Sequence, residues 1–134
     1  MTAVDQMLTT HPKAGSIDAQ DVLARCIQAC IECEQTCTAC ADACLSEDLV
    51  AELVTCITKN ANCADICAAT GAVLSRQTTV DVEVVRAAVE ACRAACAACA
   101  EECEQHADMH EHCRVCAEAC RRCEQACSDL LATL

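Results

Sequence analysis

Residues 26–44 read CIQACIECEQTCTACADAC, placing Cys26, Cys30, Cys33, Cys37, Cys40 and Cys44 at intervals of four, three, four, three and four. Residues three and four apart are neighbours on a helix surface, so the spacing predicts one continuous helix with every sulfur on a single face. At ~1.5 Å rise per residue that stripe is about 27 Å long. The same ruler returns at Cys56, Cys63 and Cys67, at Cys92, Cys96, Cys99 and Cys103, and at Cys113, Cys116, Cys120, Cys123 and Cys127. Four helices thus carry thiols where a bundle would normally carry leucine. The prediction is an all-α chain, an antiparallel four-helix bundle with a cysteine-lined core.

The remaining sequence supplies the punctuation. Residues 1–16, with Pro12 and Gly15, read as an N-terminal arm or a short packed turn without chemistry. Residues 17–134 read as one bundle domain with helices at about 17–45, 47–71, 79–106 and 109–132. Ser16 or Asp18 is the expected cap of the first, Ser46 with Glu47 and Asp48 opens the second, and Gly71 ends it. Thr78 or Thr79 announces the third, and Asp108 with Glu111 resembles a capping box for the fourth. Every connection is short enough for adjacent antiparallel neighbours.

Composition limits what such a core can be. Of 134 residues, 18 are cysteine and none is Phe, Tyr or Trp, so hydrophobic burial is thin and something else selects the thiols. The net charge of -12 argues against nucleic acid or anionic lipid as partner, and no apolar run approaches a membrane span. Met1–Lys13 lacks the features of an export signal, which predicts a cytoplasmic protein whose thiols stay reduced. Disulfides within a stripe are further disfavoured, because helix neighbours have Cβ atoms ~5–6 Å apart where a disulfide wants about 3.5–4.5 Å.

In an up-down-up-down arrangement the first and third long connections share one end, here called the mouth. Extending the heptad from Cys103 and back from Cys113 reaches His106 and Met109, which are expected to point inward there, with His110 and His112 close by. At the far end the same positions become Val22, Leu23, Leu74, Val82, Val85, Val89, Leu130 and Leu134, a hydrophobic plug. Asn60 interrupts the inward stripe between Cys56 and Cys63, as a donor to sulfur or as an amide bonded to backbone. Val50, Val54, Ile57, Ala61, Ala64 and Ala68 form a second apolar stripe, suited to an oligomer contact or to packing on a neighbouring helix.

Soft thiolates suit Cu(I), zinc and iron–sulfur clusters. Iron–sulfur cysteines usually sit in short loop motifs, and four-thiolate zinc sites leave excess negative charge in a core with no Lys or Arg on the stripes. If each thiolate bridges two Cu(I) ions, the filled core is neutral at about one copper per cysteine. A core saturated with ligands has no substrate pocket, so no enzyme is expected. Helical metallothionein-like Zn/Cd sequestration and a thiol redox protein are the alternatives. The latter needs an exposed thiol of low pKa, whereas inward thiols among neutral neighbours should titrate high.

With its heptad-spaced cysteines and its His and Met cluster, the chain after residue 16 resembles the cytosolic branch of the bacterial copper storage protein family. The resemblance implies a four-helix bundle, usually a homotetramer, that stores and buffers many Cu(I) ions on core cysteines. All eighteen cysteines match the core ligands by position, and His106, Met109 and His110 match mouth ligands through which ions enter and leave. A copper donor or acceptor protein or chelator is an implied partner. His112 reads as a solvated loop residue or a further ligand.

Overall fold

The computed structural model describes residues 1–13 and 20–134. It comprises α1 (Ala3–Thr10), α2 (Gln20–Leu45), a single 3-10 turn (Val50–Leu53), α3 (Val54–Ser75), α4 (Val82–Glu104) and α5 (Glu111–Leu131), with no strand among the described residues. Helix α2 packs against α3 and α5, and α4 packs against the same two helices. The sulfur stripes face one another inside this arrangement, so the chain is all-helical with a cysteine-rich buried core.

Several helix ends differ from those expected. The N-terminal segment is a helix, started by a capping box in which Asp5 and Thr2 bond each other's backbone N–H, and it lays Leu8 against α2. The expected caps Ser16 and Asp18 lie outside the described residues. Residues 46–49 form a turn, and α3 begins at Val54 without a side-chain cap. Gly71 lies inside α3, which continues to Ser75. Its ~1 kcal/mol helix penalty is outweighed one turn on, where Leu74 is 1 % exposed. Asp81, not Thr78 or Thr79, caps α4 by accepting from the N–H groups of Glu83 and Val84. At α5 the N-cap is His110 with no side-chain cap bond, so the expected capping box at Asp108 does not form.

One end of the core is closed by carbon. Leu23, Leu74, Val85, Val89 and Leu130 are buried there, Val22 and Leu134 are half-buried, and Val82 is turned out to solvent at the start of α4. No helix among the described residues is long and apolar enough to cross a membrane.

Candidate metal centre

All eighteen cysteines are buried and unbonded, the most exposed being Cys40 at 2 %. Contacts between helices bring their sulfurs to 3.5 Å for Cys37 and Cys120, 3.6 Å for Cys56 and Cys103, and 3.7 Å for both Cys33–Cys63 and Cys67–Cys92. These groups assemble into quartets whose ligand atoms all lie within 4.8 Å of one another. Cys37, Cys99, Cys116 and Cys120 form one. Cys33, Cys37, Cys63 and Cys120 form the next, followed by Cys33, Cys63, Cys67 and Cys96, and then by Cys67, Cys92, Cys96 and Cys123. Each quartet shares two sulfurs with its successor, so these ten thiols make a continuous column of edge-sharing quartets. A zinc tetrahedron with Zn–S of ~2.3 Å has edges of about 3.8 Å, so spacing alone does not choose the metal. The shared edges do bear on it, because ions filling adjacent quartets would be bridged by the shared thiolates. Among the described residues no Lys or Arg is buried to balance isolated four-thiolate sites.

The thiols do not titrate uniformly high. Burial pushes Cys44 up to about 11, and likewise raises Cys113. Deeper in the column, hydrogen bonding from Cys127 and then Cys30 draws Cys26 down to about 5. A thiolate surrounded by thiols is stabilised by the S–H groups that donate to it, which opposes the effect of burial. These sulfurs are nevertheless buried, unlike the accessible thiol a redox protein needs. The neighbouring arginines are occupied outside the core: Arg114 by Glu111 and Glu118, Arg121 by Glu104 and Glu124, and Arg122 by Glu32.

Asn60 is fully buried, and its partners are sulfurs rather than backbone. Its Nδ2 donates to Cys56 Sγ at 3.6 Å, while its Oδ1 accepts from Cys99 at 2.9 Å and from Cys116 at 3.1 Å. One amide thereby joins α3, α4 and α5 just below the mouth.

At the mouth the histidines are sorted differently from expectation. His112 Nδ1 lies 3.4 Å from Cys40 Sγ and 3.7 Å from Cys113 Sγ, completing a four-membered cluster with Cys44. His110 and His112 stack at 5.6 Å, and both contact Glu47. His106 is half-buried and engages Glu102 at 2.8 Å instead of a sulfur. Met109 is 70 % exposed, so the inward register does not survive beyond Cys103: α4 ends at Glu104 and residues 105–109 turn. The heptad is a property of helix and lapses where the helix does. Glu47 and Glu102 were missed from sequence. Glu102 carries a local signal, four residues before His106 across the end of α4, whereas Glu47 is 65 residues from His112 and carries none.

A buried column of overlapping thiol quartets with an imidazole at one end is a donor set suited to soft metal ions in number. The family model for copper storage proteins matches residues 19–132, and the chain belongs to that family. It is thus a storage protein rather than an enzyme. Among solved structures, the copper storage protein Ccsp of Streptomyces lividans loaded with 10 copper equivalents is 57 % identical, with a TM-score of 0.95 over 98 % of this chain and 99 % of that one. A five-copper structure described as a cytosolic copper storage protein from Streptomyces lividans is 62 % identical, with a TM-score of 0.84 over 85 % of this chain and 95 % of that one. No curated protein sequence matches the chain.

Proposed function

We propose that α2–α5 form one antiparallel four-helix bundle, residues 17–134, that stores and buffers Cu(I) in the cytosol at about one ion per cysteine. Residues 1–16 are an appended segment. The observation that carries this reading is the edge-sharing of the sulfur quartets: shared sulfurs can bridge, and a column of Cu(I) bridged by equal numbers of thiolates is neutral. All eighteen cysteines, Cys26 to Cys127, are the storage ligands.

Ions enter and leave at the mouth. Met109, exposed, and His106 and His110 receive the ion, and His112 passes it to Cys40, Cys44 and Cys113. Thioether and imidazole release Cu(I) more readily than thiolate, which suits a relay. The acidic surface favours a positively charged donor or acceptor. Exposed Ile31 on α2 and Val54 on α3 are apolar sites for a homotetramer contact, as the family resemblance implies, whereas Ala64 of the second apolar stripe is buried within the subunit.

The test is an anaerobic titration of the reduced protein with Cu(I) against a competing chelator, repeated with zinc. Saturation near one copper per cysteine, with far weaker zinc binding, is expected. Saturation at roughly four or five ions with zinc preferred would replace the copper store with a zinc sink.

A further inference from the structure

Glu47 sits in the turn after α2, far in sequence from the histidines of the third connection, yet a single oxygen of its side chain contacts two of them. Oε2 lies 2.5 Å from His110 Nδ1 and 3.0 Å from His112 Nε2. A carboxylate can only accept, so the hydrogen bond to Oε2 at 3.0 Å calls for the proton on Nε2 of a neutral His112. His112 then keeps its lone pair on Nδ1, the atom facing Cys40 at 3.4 Å and Cys113 at 3.7 Å. His110 meets the same oxygen as an ion-pair contact and stacks on His112 with the rings 22° from coplanar, which holds the two rings in relation to each other.

We infer that Glu47 is the positioning residue of the copper entry step, setting the tautomer of His112 so that its Nδ1 is open toward the first thiols. The inference rests on the mouth being the entrance. Metal-binding histidines characteristically donate their second ring N–H to a carboxylate, which fixes ring orientation and raises the basicity of the ligating nitrogen. Here one carboxylate serves two rings and fastens the turn after α2 to the start of α5. Glu102 bonds only His106 Nε2 and has Lys59 Nζ 3.8 Å away, so it serves a single ring.

The test compares Glu47→Gln, Glu47→Asp and His112→Ala, each as the full-length reduced chain. The readouts are stopped-flow loading with a Cu(I)–chelator complex, total copper capacity, and the 15N NMR signature of the histidine rings without copper. Gln keeps the length of the side chain but can donate as well as accept. Glu47→Gln is expected to shift His112 from a fixed Nε2–H tautomer to a mixture and to weaken capture of the first copper equivalents about tenfold. Total capacity stays unchanged, and Glu47→Asp restores part of the loss. An unaltered His112 signature in Glu47→Gln overturns the inference, as does unaltered loading when His112→Ala slows it. If His112→Ala loads like the parent, the mouth reading fails and the inference about the entry step falls with it. The NMR signature then still reports separately whether Glu47 sets the ring.

Discussion

The two ends of the core are built from different materials. At one, Leu23, Leu74, Val89 and Leu130 meet with no more than 1 % exposure, and Asp81 caps α4 beside them. At the other, imidazoles and carboxylates surround the last sulfurs, Met109 is exposed, and α5 begins without a side-chain cap. Carbon packing excludes water and cannot release an ion, whereas imidazole and carboxylate tolerate water and exchange ligands. The two ends thus differ in chemistry, an aliphatic plug at one and a polar mouth at the other, with the buried thiol column between them.

That division can be tested by what copper itself does. A site held at 1,000 times its Kd adds about 4 kcal/mol to stability, so loading a few ions should raise the denaturation midpoint more than any substitution lowers it. Next in size, Leu74→Ala or Leu130→Ala should cost the reduced apo protein about 2–5 kcal/mol in denaturant titrations while leaving copper capacity intact. A loss of capacity in either variant would break the separation between plug and column. Asp81→Ala removes the acceptor for two N–H groups and should cost about 1 kcal/mol by the same measurement, again without effect on copper loading. Smallest in stability is Met109→Ala, expected to stay within about 0.5 kcal/mol of the parent because the side chain is exposed. Its effect should appear only as slower loading from a chelator, which sharpens the contrast with Leu74→Ala.

Where the sequence was read correctly, the information was local. Cysteines three and four apart mark a helix face wherever they occur, and every one of them is buried. The reading weakened at the helix ends. Thr78, Thr79 and Asp81 are all acceptable caps by type, and which one works depends on where packing lets the helix begin. Gly71 reads as a terminator, but the burial of Leu74 carries α3 past it. Asn60 was visible as an interruption in the stripe, yet its choice of Cys56, Cys99 and Cys116 over backbone needed three helices in place.

The sequence by itself therefore determined the four thiol-striped helices, the inward direction of the sulfurs and the soft-metal chemistry they imply, because a 3.6-residue period turns spacing directly into a face. Only the tertiary structure decided which sulfurs share an edge, that His112 rather than Met109 reaches the thiols, and that Glu47 joins two histidines. Those relations link residues distant along the chain or sitting in turns, where no period operates and position is set by the packing of one helix on another.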